Sequence, residues 1–237
     1  MKKFLDLVYF FQSRHPESLE SLDFLDSLDS LQSFSAMNPS DQADQIIGLS
    51  LNSKNIKPGE VFIALAGHQL DGRDYIQQAI NNGASGVLVE ILEHENLEDL
   101  ILKFNFNYLN KIFLIIRNLK KYLSSLAFYF EGFEDLEKFN SPIFAVTGTN
   151  GKTTVSMLLA QFFNDINDIN DVNDVNDIYD IYDYKNNKCA VIGTLGAGFL
   201  NPEGDMKNLE ETHMTTPDAL SLARLIKKLD SQGAHYF

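Results

Sequence analysis

One cysteine, Cys189, is all the thiol this 237-residue sequence carries. No internal disulfide can form, and the chain fits a reducing, cytoplasmic compartment. Basic residues are scarce: 19 Lys and Arg stand against 33 Asp and Glu, a formal charge of −14. That imbalance argues against nucleic acid or an anionic membrane surface as the main partner. No apolar run approaches the length needed to span a bilayer. The start, from Met1-Lys2-Lys3 through Phe10-Phe11, imitates the charged head of a signal peptide. Asp6 interrupts its apolar part, however, and Gln12-Ser13-Arg14-His15 follow with no small-residue cleavage site, so it reads as a first helix. What remains is a composition 44% apolar, enough for one large or two modest globular domains.

The most informative stretch is Thr147-Gly148-Thr149-Asn150-Gly151-Lys152-Thr153-Thr154. Ile143-Phe144-Ala145-Val146 before it reads as a buried strand, and Val155–Phe163 after it reads as a helix. A strand, a glycine-rich turn, Gly-Lys-Thr and a helix make the layout of a phosphate-binding loop. Gly148 and Gly151 permit a tight turn that aims successive N–H groups at phosphate oxygens. The new helix adds its free N–H groups and the positive end of its dipole. Lys152 has the reach for the β- and γ-phosphates, and Thr153 offers a hydroxyl to Mg²⁺. The general motif places a glycine five residues before Gly151; here that position is Val146.

Two segments are of low complexity. Residues 18–40 begin with a repeat in threes (Ser18-Leu19-Glu20, Ser21-Leu22-Asp23, then Leu25, Leu28, Leu31 and Phe34), a period that drifts around a helix without making a stripe. Residues 164–187 hold Asn-Asp-Ile-like triplets with seven Asp, Asp165 to Asp183. They lack the Gly and closing Glu of a calcium loop, so this insertion is expected to be an inert, solvated loop. Elsewhere the texture is α/β. Strands are expected at Val61–Leu65, Gly86–Glu90, Ile112–Ile116 and Cys189–Ile192. Helices are expected at Asp74–Asn82 with Gly83 as C-cap, Asn118–Phe130 and Ala219–Gln232. Residues 92–111 are mixed, and Ala234–Phe237 opens a further strand. A charged stretch, Glu131–Ser141, ending at Pro142 divides a domain over 1–140 from one over 141–237.

These stretches together resemble the Mur ligase superfamily, ATP-dependent enzymes that add amino acids to the peptidoglycan precursor, and within it the tripeptide-forming branch. The similarity rests on T-G-T-N-G-K-T-T at 147–154, Ser53-Lys54, and Lys57-Pro58-Gly59-Glu60 followed by Val61–Leu65. Gly67-His68-Gln69 with Asp71-Gly72, Gly83-Ala84, Gly193-Thr194-Leu195-Gly196 and Thr215-Thr216-Pro217-Asp218 add to it. It covers about residues 46–237 without the Asn-Asp insertion. The resemblance implies an α/β fold: a UDP-MurNAc-binding N-terminal domain followed by a partial, P-loop ATPase-like central domain. It implies that ATP phosphorylates the terminal carboxylate of UDP-MurNAc-L-Ala-D-Glu and that a diamino acid, meso-diaminopimelate ahead of L-lysine, then attacks the acyl phosphate. Gly148, Thr149, Asn150, Gly151, Lys152, Thr153 and Thr154 would hold ATP, with Lys152 the catalytic group and Thr153 a Mg²⁺ ligand. Ser53, His68 and Gln69 would hold the uridine diphosphate end, and Thr215 and Thr216 the muramoyl-peptide.

By residue type alone, Ser53 and the His-Gln pair also suit ordinary turns, and Thr216 suits a helix N-cap before Pro217. Asn52 and Lys54 replace the Asp and Arg usual in the family on either side of Ser53. His213 has no assigned role. The family's central domain continues beyond a position like Phe237 and a C-terminal domain follows it, so the chain is expected to be an N-terminal fragment, inactive in ligation by itself. One alternative is a non-catalytic nucleotide- or nucleotide-sugar-binding remnant. Folylpolyglutamate synthases share a related ATPase domain but lack the N-terminal domain with the His68-Gln69 loop.

Overall fold

Val61-Phe62-Ile63, Val87-Leu88-Val89 and Phe113-Leu114-Ile115-Ile116 are β-branched, aromatic or leucine runs with no polar alternation, the pattern of strands covered on both faces. In the computed structural model they are the centre of a parallel sheet. The structure describes residues 2–18, 45–67, 69–104, 112–133, 139, 141–169, 188–200, 209–212 and 216–237. They form two compact units, Met1–Phe130 and Glu131–Phe237.

The first unit opens with β1 (Lys2–Lys3) and α1 (Phe4–Arg14), followed by β2 (Gln45–Ile46) and β3 (Gly48–Ser50). Then come β4 (Glu60–Ala64), α2 (Ile76–Asn81), β5 (Gly86–Ile91), α3 (Leu97–Phe104), β6 (Ile112–Arg117) and α4 (Leu119–Phe130). The main sheet has the order β3-β4-β5-β6, all parallel, with Leu49 opposite Val61, Phe62 opposite Val87 and Leu88 opposite Leu114. Side chains alternate between its faces. Phe62, Ala64, Val87, Val89 and Ile91 pack with Ile76 and Ala79 of α2 and Leu100 of α3. On the other face α4 lies against β3 and β5. The first helix packs on α4 through Phe10 against Tyr129, with ring centroids 4.8 Å apart.

In this unit the short strands β1, β2 and β3 and the helix α3 exceed what the sequence predicts. The segment read as mixed contains α3, whose Leu97, Leu100, Ile101 and Phe104 follow the i, i+3, i+4, i+7 spacing of a packed face. The three residues of β3 carry no strand signal of their own; pairing with β4 makes them a strand. In this unit the other expected strands and helices form close to their predicted limits. At Gly83 a positive φ of 107° lets the Gly83 and Ala84 N–H groups close the end of α2 on Ile80 O and Ala79 O, each at 3.0 Å.

The second unit contains α5 (Lys152–Ile169), β7 (Lys188–Gly193), β8 (Gly196–Phe199), α6 (Ala219–Ser231) and β9 (Ala234–Tyr236). Its sheet order is β8-β7-β9, with β7 and β8 antiparallel and β7 and β9 parallel. Strand β7 lies between two helices: Cys189 and Val191 meet Met157, Ala160 and Phe163 of α5, while Ala190 and Ile192 meet Leu225 and Leu229 of α6. Burial pushes the Cys189 thiol up to about 11. The hairpin partner β8 was not expected. It pairs with β7 from Gly193 opposite Gly196 to Ala190 opposite Phe199, and Gly196, at φ 130°, leaves room for Glu210 to bridge Ala197; a Cβ at Gly196 would stand 2.6 Å from Glu210 O.

Three expectations are corrected in this unit. Ile143–Val146 is not a buried strand: Ile143 and Phe144 are 49% and 46% exposed. Phe144 N donates to Phe237 O at 2.6 Å and Phe237 N to Pro142 O at 3.0 Å, the start of a parallel pairing beside β9. Beyond this pairing the Phe144 ring stacks on Phe163 of α5, with centroids 4.9 Å apart, and Ile143 and Phe144 stay about half exposed. Secondly, α5 runs to Ile169, six residues into the triplet insertion. Asn164 Oδ1 accepts from Cys189 N at 2.9 Å, tying helix to strand; the rest of the insertion, residues 170–187, lies outside the described residues. We expect Asn164→Ala to lower stability by about 1 kcal/mol, measured by urea unfolding, because it leaves a β7 amide without that acceptor. Thirdly, the N-cap of α6 is Asp218, not Thr216: its carboxylate accepts from Leu220 N at 2.9 Å and Ser221 N at 3.0 Å.

Candidate functional site

Parallel strands bring all their carboxyl ends to one edge, where open α/β sheets bind ligands in the loops. In the first unit that edge holds the loop after β3, with Ser53, and the loop after β4, with Gln69. The structure thus brings Ser53 and Gln69 to the same edge of adjacent strands; His68 lies outside the described residues. Ser53 is 8% exposed and its hydroxyl donates to Gln78 Oε1 at 2.7 Å. With its one proton committed, Ser53 Oγ can only accept from a ligand. Asn82 Nδ2 donates to Ser53 O at 2.8 Å, anchoring the same turn on α2. Asn52, the departure from the family pattern, accepts from Lys54 N at 2.9 Å and Asn55 N at 3.2 Å, the turn-closing role an Asp would serve equally.

Gln69 is exposed on a loop with a rigid base. Gly72 N donates to Leu65 O at 2.8 Å, and a Cβ on Gly72 would lie 2.7 Å from that oxygen. A Cβ on Gly67 would collide with Leu70 O, so the loop needs glycine at both places. Asp71 accepts from Arg73 N at 3.0 Å and from the Arg73 guanidinium at 2.7–3.1 Å. Glu95 takes the other edge of the same guanidinium at 2.7 and 2.9 Å. Arg73 is only 4% exposed. Burial alone would push its pKa down, but the two carboxylates outweigh that and raise it. Burial likewise pushes the Asp71 carboxyl up, and Arg73's hydrogen bonds and charge overcome it, holding Asp71 below the usual carboxylate range. The Arg73 hydrogen bonds lower Glu95 as well.

Sequence reasoning missed Arg73, Glu95 and Glu90. One signal existed: Glu90 sits inside the apolar run Val87-Leu88-Val89-Glu90-Ile91, where an ionisable group needs partners.

In the second unit the loop at 147–151 is exposed and has the expected backbone. Gly148 and Gly151 take φ of 147° and 77°. Helix α5 starts at Lys152, and its first turn closes with Val155 N on Gly151 O at 2.9 Å. The N–H groups of Lys152, Thr153 and Thr154 therefore precede the helical ladder and are free to meet an anion. Lys152 Nζ lies over the loop, donating to Gly148 O at 2.6 Å. Because Pro142–Phe144 runs parallel to β9, and β9 to β7, the phosphate loop and the Gly193–Gly196 turn share one edge of this sheet. Helix α6 ends where β9 begins and runs back along it, so Thr216, exposed just ahead of α6, is at that edge too. Thr215 lies outside the described residues. Among the described residues no three His, Cys, Asp or Glu side chains gather as a metal site, and no helix is long and apolar enough to cross a membrane.

The sequence matches the Mur ligase family, catalytic domain, over residues 45–127 and the Mur ligase middle domain over residues 146–237. It is 31% identical over 191 residues to UDP-N-acetylmuramoyl-L-alanyl-D-glutamate--2,6-diaminopimelate ligase of Vibrio parahaemolyticus, covering 79% of this chain and 31% of that protein. The protein of the same name from Vibrio cholerae is 33% identical over 192 residues, covering 81% of this chain and 32% of its own. A solved structure of a ligase with this name superposes with a TM-score of 0.50 at 26% identity, over 86% of this chain and 34% of that one. The chain thus spans about a third of the length of the curated relatives it matches. With two successive Mur ligase domains matched and the parallel α/β architecture shared with a solved relative, the chain belongs to the Mur ligase family.

Proposed function

We propose that this chain is the nucleotide-sugar- and ATP-binding part of the ligase that joins a diamino acid, meso-diaminopimelate, to UDP-MurNAc-L-Ala-D-Glu in peptidoglycan precursor synthesis. The observation that carries the reading is the phosphate loop: Gly148 and Gly151 at positive φ, leading into a helix that begins at Lys152. The relatives' names supply the substrates. In this reading the γ-phosphoryl of ATP passes to the terminal carboxylate oxygen of D-Glu, leaving ADP and an acyl phosphate. The diamino acid's amine attacks the acyl carbon, phosphate departs with the C–O electrons, and the amine's proton goes to solvent. Phosphoryl transfer of this kind depends on positioning and charge neutralisation. Lys152 and the N–H groups at the start of α5 supply positive charge at the phosphates. The Thr153 hydroxyl, half-buried in the first turn, would hold one position on Mg²⁺, and the ion would neutralise phosphate charge there.

Ser53, His68 and Gln69 hold the uridine diphosphate end, and Thr215 and Thr216 face the muramoyl-peptide. Calorimetric titration of the chain with UDP-MurNAc-L-Ala-D-Glu tests the first unit. Gln69→Ala is expected to weaken binding about tenfold, the loss of one hydrogen bond of about 1.4 kcal/mol. Unchanged affinity in Gln69→Ala and Ser53→Ala together would remove the assignment. ADP release and tripeptide mass, measured with Mg²⁺, ATP and diaminopimelate, test the chemistry. Binding of both substrates without product limits these 237 residues to the binding role.

A further inference from the structure

Glu90 is the penultimate residue of β5 and is 2% exposed. A carboxylate so deep in a hydrophobic sheet requires hydrogen bonds at both oxygens. It has them, from two different segments. Glu90 Oε2 accepts from Ala66 N at 2.9 Å, where the loop carrying Gln69 leaves β4. Glu90 Oε1 accepts from Lys120 N at 2.8 Å, in the first turn of α4, whose dipole favours an anion there. The backbone carbonyl of Glu90 accepts from Arg73 Nη1 at 3.2 Å, and Arg73 in turn grips Asp71 at the far end of the same loop. One residue therefore fastens the loop's entry with its side chain and its exit through Arg73. Between these fastenings Gly67, Gln69 and Leu70 are exposed, Leu70 by 74%.

We infer that Glu90 is a positioning residue for the substrate loop: it fastens the loop at Ala66 and, through Arg73, at Asp71, and so places Gln69 for the nucleotide sugar. The inference rests on the proposed nucleotide-sugar site. Its chemistry is selective for a carboxylate. Both contacts are N–H donors, so both side-chain oxygens must accept. Glutamine keeps the shape but turns an NH₂ toward one of the two donors. Aspartate keeps the charge but is one methylene too short to span both. An ordered loop base spares a ligand the ordering of the loop on binding, so loosening it should appear as lost affinity.

The test uses the full chain and UDP-MurNAc-L-Ala-D-Glu as probe, with melting temperature recorded for every variant and titrations run where all are folded. Glu90→Gln is expected to weaken binding about tenfold or more. Leu100→Ala, a core truncation on the opposite face of the sheet, is expected to lower the melting temperature and leave affinity at the wild-type value. Combining Glu90→Gln with Gln69→Ala should weaken binding by much less than the product of the single effects, because a misplaced Gln69 has little left to lose. Wild-type affinity in Glu90→Gln, alongside weakened Gln69→Ala, overturns the positioning role and leaves the site assignment standing. Equal losses in Glu90→Gln and Leu100→Ala also overturn it, since the effect is then one of general stability. No binding by the wild-type chain removes the site assignment and this inference together.

Discussion

Arg73→Met should unfold the first unit at markedly lower urea, with a loss of about 3–5 kcal/mol. Removing one member of a buried charge pair costs this much because the remaining charges stay in place poorly compensated; the exposed Lys103, 4.0 Å from Asp71, offsets little. Here two carboxylates would remain, Asp71 with 14% and Glu95 with 24% of the side chain exposed. They would face each other across the space the guanidinium now fills, and the Glu90 carbonyl would lose a donor. Arg73→Lys should recover little, since an ammonium cannot bridge two carboxylates in the plane of a fork. The same network makes an acid limb. Asp71 and Glu95 have folded pKa values held down by Arg73, so each binds a proton more readily when unfolded. Their stabilisation is complete above the ordinary carboxylate pKa of about 4 and is lost as pH falls through their lowered folded values. Urea midpoints of the wild type should fall more steeply below about pH 4 than those of Arg73→Met. A loss under about 1 kcal/mol with parallel acid limbs would mean the pairs behave like exposed ones.

The parts of the fold that were legible from sequence are those in which local chemistry and burial agree. Runs such as Val61–Ile63 and Val87–Val89 have one good solution, a strand covered on both sides. The i, i+3, i+4 spacing of Leu119, Leu123 and Leu126 has one good solution, a packed helix. Glycines announced the turns at 83, 148 and 151, where the backbone takes a positive φ that other residues rarely adopt. The illegible parts depend on partners distant in sequence. Gly48-Leu49-Ser50 is a strand only because β4 lies beside it. Ile143–Val146 has strand propensity, but burial also needs neighbours, and propensity says nothing about them. Helix α5 shows the same split: Met157, Ala160 and Phe163 are packed, while Val155, Leu158 and Phe162 on the opposite face are 45%, 61% and 57% exposed.

The candidate site divides along the same line. The proposed phosphate loop is a contiguous octapeptide, so its glycine-rich turn and following helix are expected from local residue types alone. Ser53 and Gln69 are proposed by resemblance, but their surroundings are not legible that way. Ser53 is oriented by Gln78, 25 positions away, and the Gln69 loop by Glu90, 24 positions from Ala66. Hydrogen bonds at that separation leave no local pattern. The buried glutamate in an apolar strand was the one trace available.

Lys152→Ala should strongly weaken binding of a fluorescent ATP analogue in the presence of Mg²⁺. Lys152 opens α5, and its ammonium already lies over the phosphate loop through the Gly148 carbonyl at 2.6 Å. A nucleotide whose phosphates take the N–H groups at the start of α5 meets that ammonium with little side-chain movement. A hydrogen bond to a charged group contributes roughly 1.5–3 kcal/mol, so truncation should weaken binding by roughly 10- to 150-fold. Lys152 is half-buried with its ammonium at the surface, so little packing is lost and the melting temperature should stay within about 1–2 °C of wild type, as for a surface change of at most about 0.5 kcal/mol. Lys152→Arg should recover little, because a planar guanidinium does not fit where a compact point charge sits against a backbone carbonyl. Thr153→Ala separates the metal from the lysine: its affinity should fall with Mg²⁺ present and match wild type in EDTA, whereas Lys152→Ala binds weakly in both. Wild-type affinity in Lys152→Ala would mean that the loop, despite its backbone, does not hold the phosphates, and the reading of this unit as a nucleotide site would fall.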